Sequence, residues 1–212
     1  METAPRRSFA SALEWPGWSR PGRDEAGAMA ALASSAGRFA IVARGAGLAF
    51  EPLSREMLEV VERRPGTATT AFGAPDVVFS MDQRPTDRAD GERLGALVRA
   101  SWDYLGRVAA SAPSELRKGP RGGGRDLGAI VAHVVAAEAA YARRIGVLVP
   151  EPAPGDMEGV AIVRAAIADA VVRPTDGGPI PGGRWTVRYA ARRIAWHVLD
   201  HAWEIQDRAE PA

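Results

Sequence analysis

Apolar residues in the second half of the chain recur at the three- and four-residue spacing of amphipathic helices. Leu94, Leu97, Val98, Trp102, Leu105, Val108 and Ala109 keep that spacing and predict a helix from about Arg88 to Ser111. Pro113 and the run Lys118-Gly119-Pro120-Arg121-Gly122-Gly123-Gly124-Arg125 end it, and Asp126 is placed to cap a second helix reaching about Ile145. A Pro/Gly break from Val149 to Gly155 precedes a third helix, capped by Asp156 and carrying Val160, Val163, Ile167 and Val171. After a long turn from Pro174 to Gly183, a fourth helix is predicted from about Val187 to Arg208. Its apolar seam runs through Ala190, Ile194, His197, Val198, His201 and Ile205. Four successive helices of comparable length predict a four-helix bundle over residues 83–212.

Residues 1–82 are patterned differently. Arg7 to Trp15 alternates loosely up to Pro16-Gly17, which predicts a strand closed by a turn. Asp24-Glu25 opens an alanine-rich helix through Met29, Leu32, Ala36, Phe39, Ile41 and Val42, stopped by Gly45 and Gly47. Met57 to Glu62 reads as a second strand, broken at Pro65-Gly66. The segment from Gly66 to Arg88 has no clear period and reads as a linker or irregular wrap. The fold class is therefore α+β, a small αβ domain with its linker ahead of the bundle. No internal repeat is found.

Composition changes this picture in three ways. With 46% hydrophobic and 25% charged residues, the chain can bury an ordinary core. A net charge of +1 gives no global field toward nucleic acid or an anionic membrane, so neither is expected as a partner. Zero cysteines exclude disulfides, thiolate metal sites and cysteine nucleophiles, leaving His, Asp and Glu as metal ligands. Arg6-Arg7-Ser8-Phe9 has the look of a twin-arginine export signal. Glu14, Trp15, Pro16 and Trp18 stand where an apolar stretch is required, so a cytoplasmic location is expected. No run approaches the ~18 apolar residues of a membrane span.

Two of the three histidines, His197 and His201, stand at i and i+4 of the fourth helix, and His133 lies on the second. At about 100° per residue the pair is about 40° apart on one face, within reach of one ion. Glu204 falls about 20° and Arg193 about 40° to the other side of His197, on the same stripe. Asp200 borders the stripe, where it can orient an imidazole or ligate weakly, while Trp196 and Trp203 face away to pack. Glu138 lies about 140° from His133 and is a poor ligand candidate. Two readings stand: partly buried histidines satisfied by hydrogen bonds, or a divalent ion held by three neutral imidazoles. Desolvating three imidazoles without a partner is costly, which favours the ion. Three protein ligands leave an open position, as in catalytic sites. Zinc is expected first, and nickel, iron or manganese also accept imidazole. Glu204 is then a candidate base or imidazole partner and Arg193 an electrostatic clamp. The glycine-rich run is either a solvated connection or a contact, through Arg121 and Arg125, for an anionic substrate or cosubstrate. It lacks the Lys-Ser/Thr closure of a phosphate-binding loop.

The helix bearing His133, together with Arg192-Arg193-Ile194-Ala195-Trp196-His197-Val198-Leu199-Asp200-His201-Ala202-Trp203-Glu204, resembles the DinB-like metalloprotein superfamily over about residues 85 to 210. That resemblance implies a four-helix bundle and a divalent metal on His133, His197 and His201. It also implies a small-molecule substrate and a possible homodimer. Its members include S-transferases and isomerases that use mycothiol or bacillithiol, so a low-molecular-weight thiol cosubstrate is implied. The extra C-terminal domain of the mycothiol-dependent isomerases has no counterpart here. Leu13-Glu14-Trp15-Pro16-Gly17-Trp18, followed by Gly22-Arg23-Asp24-Glu25-Ala26 and a helix, is weakly similar to HicB-type αβ proteins, although no DNA-binding helix pair accompanies it. The expected function is metal-dependent activation of a thiol or water for attack on an electrophilic small molecule, as in an S-transferase. The alternatives are a metal-dependent hydrolase and a non-catalytic metal-binding or interaction module.

Overall fold

A computed structural model describes residues 1–118 and 123–209. Within them the chain is α+β, a small mixed sheet near the N-terminus followed by a helical part. Strand β1 (Glu2–Ala4) turns through Pro5 and Arg6, the latter at φ 66°, into β2 (Arg7–Ser11). The two pair antiparallel with Glu2 opposite Phe9. β2 pairs in turn with β3 (Ser19–Gly22), Ser11 opposite Ser19. The strand expected to reach Trp15 stops at Ser11 because the following residues close a tight loop. There the Ala12 amide donates to the Trp18 carbonyl at 2.9 Å, and the Trp15 amide to the Ala12 carbonyl at 3.0 Å.

That loop also divides the helix that apolar spacing predicted to be continuous. Asp24 caps α1 (Glu25–Ser34) by accepting from the Gly27 amide at 2.7 Å, and α2 (Ala36–Gly45) starts after Ser35. The Trp18 indole donates to both the Leu32 carbonyl and Ser35 Oγ at 3.0 Å, while the Ser35 hydroxyl donates to the same carbonyl at 2.7 Å. A tryptophan from outside the helix thus ties down its break. The indole stacks on Phe39 at 5.6 Å between ring centroids.

The strand expected over Met57 to Glu62 does not form there; a two-residue strand begins just beyond it. A 3-10 turn occupies Arg55–Met57, and β4 (Arg64–Pro65) joins the edge of the sheet parallel to β1, giving the order β3-β2-β1-β4. The Arg64 and Gly66 amides donate to the Met1 and Thr3 carbonyls, so Pro65, which has no N–H, sits where none is needed. The segment from Gly66 to Arg88 carries α3 (Ala68–Phe72) and a 3-10 turn at Ser80–Gln83. Buried acids pin it. Glu2 accepts from Thr70 Oγ1 and from the Asp76 and Val77 amides at 2.7, 2.9 and 3.1 Å. Asp82 accepts from the Phe79 amide at 2.8 Å and pairs with Arg192.

The four long helices form where apolar spacing places them: α4 (Arg88–Ser111), α5 (Leu127–Arg144), α6 (Met157–Val171) and α7 (Val187–Ala209). α7 packs on α4, α5 and α6, and α6 also touches α4 and α5. Asp156 caps α6 as expected, accepting from the Gly159 amide at 2.9 Å. Asp126 stands at the α5 N-cap position, but its side chain makes no cap bond; it accepts from the Leu116 amide and Lys118 Nζ. One hydrophobic core runs from Met1, Trp18 and Phe39 through Leu97 and Ile167 to Ile194 and Leu199. Phe9 meets Trp196 edge to face at 6.0 Å. Gly17, at φ 96°, lies so close to α7 that a Cβ there would stand 2.8 Å from Leu199 Cδ1. Among the described residues no single helix is long and apolar enough to cross a membrane.

Candidate metal centre

The α5–α7 contact brings His133 against His197 and His201. Ring centroids are 5.1 Å apart for His133–His197, 5.0 Å for His133–His201 and 4.8 Å for His197–His201. One ligand nitrogen from each lies within 4.8 Å of the other two, so the three can hold a metal ion. Nε2 of His197 and Nε2 of His133 are 3.3 Å apart. Two zinc–nitrogen bonds of about 2.0–2.1 Å at a tetrahedral angle span about 3.4 Å, so this pair already has the edge of a tetrahedral set. Two imidazole lone pairs facing each other at that distance require a proton or a cation between them. His197 Nδ1 is buried without a hydrogen-bond partner among the described residues, so Nε2 is its one polar outlet.

The electrostatics favour neutral rings. Burial depresses the His197 imidazole to about 2, helped by the neighbouring His201, Arg193, His133 and Arg125. His133 is lowered as well, first by burial and then by His201 and Arg125. Neutral imidazole is the metal-binding form. On His201, Nδ1 donates to Glu204 Oε2 at 2.8 Å, which leaves Nε2 with its lone pair free. Glu204 Oε1 accepts from Arg208 Nη1 at 2.7 Å. The hydrogen bond from His201 holds the Glu204 carboxyl below its usual range, against the opposing effect of partial burial.

The remaining sequence candidates separate clearly. Arg193 lies one turn ahead of His197, buried between Trp196 and Tyr141. Arg125 is exposed just ahead of α5, and its charge acts on His133 and His197. Arg121 lies outside the described residues. Lys118, the first cation of the glycine-rich run, is engaged by Asp126. Asp200, considered as an imidazole partner, instead accepts from Arg20 of β3 at 3.1 Å, and burial raises its carboxyl. Glu138 points into the α5–α6 contact, where Arg164 grips both its oxygens at 2.9 and 3.1 Å. Trp196 and Trp203 pack, as their helix angle indicates, Trp203 beneath Arg20. Sequence reading missed Arg208, although it stands four residues after Glu204, and Tyr141, eight residues after His133. Tyr141 lies edge-on to His197 at 5.6 Å and touches Trp185 at 5.2 Å.

These features define a protein with a three-histidine centre on two helices of an α+β fold. No known protein family, curated protein or solved structure matches the chain.

Proposed function

We propose that this chain is a divalent-metal-dependent enzyme that activates a thiol or a water for attack on an electrophilic small molecule. The observation that carries the reading is the convergence of three ring nitrogens within 4.8 Å, two of them 3.3 Å apart. His133, His197 and His201 would hold the ion, with zinc first and nickel, iron or manganese compatible. When bound, such an ion supplies the positive charge that stabilises a thiolate or hydroxide near neutral pH. Three ligands leave room for an exchangeable group, which a closed structural site would not.

The chain's own residues have separate tasks in this reading. Glu204 fixes the orientation and tautomer of His201 through Nδ1; since both its oxygens already accept hydrogen bonds, we assign it positioning rather than base catalysis. Trp196 and Tyr141 wall the His197 ring and limit water around it. We read the four long helices as a DinB-like bundle, supported by their order and by the His133 and His197/His201 placement. A low-molecular-weight thiol cosubstrate goes with that reading.

The test is turnover of a thiol with a generic electrophile such as 1-chloro-2,4-dinitrobenzene by zinc-, nickel- or manganese-loaded protein. Turnover abolished by chelation and by His201→Ala supports the proposal. Full metal loading with no turnover by any thiol or by water moves the centre to a structural role.

A further inference from the structure

Arg193 is a buried cation with no directly bonded counter-ion among the described residues. It is 8% exposed, and among the described residues its guanidinium makes no hydrogen bond and no ion pair, with Nη1 fully buried and unpartnered. Several other arginines that reach into the fold are matched by a carboxylate. Arg192, the preceding residue, grips Asp82; Arg164 grips Glu138; Arg208 holds Glu204; and Arg20 holds Asp200. Leaving a charge buried and unpaired is costly, and cation–π contacts return only part of that cost. Arg193 has two such contacts, its guanidinium carbon 4.8 Å from the Trp196 ring centroid and 5.6 Å from that of Tyr141. A residue kept at such a cost has a partner that arrives from outside.

Its position identifies where that partner binds. Arg193 stands four residues before His197, about 6 Å along the helix axis, and its charge acts directly on the His197 ring. Arg125 adds a second positive charge at the same ring. Glu204, the carboxylate beside the histidines, is already taken by His201 and Arg208. A divalent ion would add further positive charge. With Trp196 and Tyr141 against the guanidinium, its N–H groups remain the means of recognition. These suit a planar carboxylate, which can be gripped by two parallel bonds.

We infer that the small molecule brought to His133, His197 and His201 carries a carboxylate, and that Arg193 binds it about one helical turn from His197. This inference rests on the metal-centre reading for the location of the reacting group.

The test is calorimetric titration of zinc-loaded protein with 3-mercaptopropionate, 2-mercaptoethanol and propionate. 3-Mercaptopropionate is expected to bind at least about 10-fold more tightly than 2-mercaptoethanol, the scale of one hydrogen-bonded charge pair. Arg193→Met should abolish that preference while keeping zinc content, with a melting temperature at or above that of the parent protein. A structural arginine would instead lower the melting temperature. Arg193→Lys keeps the charge without the fork and should retain part of the preference. Equal affinity for the two thiols in the parent protein, or an unchanged preference in Arg193→Met, overturns the inference. Failure to load zinc sinks the metal reading instead. The carboxylate site is then read by propionate binding to the metal-free protein, which must occur and must be lost in Arg193→Met.

Discussion

Replacing Glu204 tests whether the centre is built for a metal beyond its three ligands. The carboxylate touches no second histidine; it acts through His201 Nδ1 at 2.8 Å and is itself anchored by Arg208 Nη1 at 2.7 Å. Glu204→Ala frees the His201 ring to rotate and to place its proton on Nε2, the nitrogen needed for ligation. Loss of such an outer partner costs about 10- to 100-fold in metal affinity, or about 1.4–2.7 kcal/mol. The Glu204 side chain is 35% exposed, so solvent screens part of its charge. Glu204→Gln keeps an acceptor for Nδ1–H and should fall at or below the lower end, near 10-fold, while Glu204→Ala lies toward 100-fold. Competition for zinc against a chromophoric chelator at pH 7.5 measures both, with urea unfolding of the metal-free proteins as the control for folding. Equal zinc affinity in Glu204→Ala and the parent protein would refute the positioning role and leave Glu204 a helix-surface residue.

Three further predictions concern the frame around the site. Asp82→Asn leaves Arg192, only 2% exposed, without its anion, and should cost about 3–5 kcal/mol in urea unfolding; a cost below 1 kcal/mol, on the scale of surface pairs, would contradict that. Gly17→Ala combines a positive φ with a Cβ 2.8 Å from Leu199 Cδ1, so it should lower stability by about 1–3 kcal/mol while Gly37→Ala, which meets nothing within 4 Å, should not. Metal-free protein should lose stability in acid through His197. Its imidazole, ordinarily near 6.5, is held at about 2 in the fold by burial and by His201, Arg193, His133 and Arg125. Below pH 6.5 the unfolded chain therefore takes up a proton that the native state refuses, so this contribution is intact above pH 6.5 and shrinks as pH falls toward 2. It approaches about 1.4 kcal/mol per pH unit well below pH 6.5, or about 2.7 kcal/mol between pH 7.5 and 4.5. The difference in urea midpoint between the parent protein and His197→Phe, followed from pH 7.5 to 4.5, reads it; parallel curves would show that His197 titrates normally.

The four long helices were legible because local periodicity and long-range packing agree. Leu94, Leu97, Val98 and Leu105 lie on one face of a helix and are all buried in α4. The same arithmetic put His197, His201, Glu204 and Arg193 on one stripe of α7, and the structure brings His197 and His201 together with His133 and bonds Glu204 to His201. What escaped depends on partners distant in sequence. Ser35 looks like any helical serine until Trp18 reaches it. Glu2 and Asp82, polar residues in unpatterned stretches, order residues 66–88 only by meeting Thr70, Val77 and Arg192. Strands β1 and β3 are three and four residues long, too short for alternation to register. Asp200 was placed beside the histidines by helix angle alone, and Arg20 draws its carboxylate to β3 instead.

The most direct test of the metal centre is elemental analysis of tag-free protein, parent against His201→Ala, after incubation with zinc, nickel or manganese and removal of excess. The three-histidine centre predicts close to one divalent ion per chain in the parent and loss of most of it in His201→Ala, with both proteins folded. A folded parent protein that retains none of these metals, or a His201→Ala variant that binds as much as the parent, would contradict it.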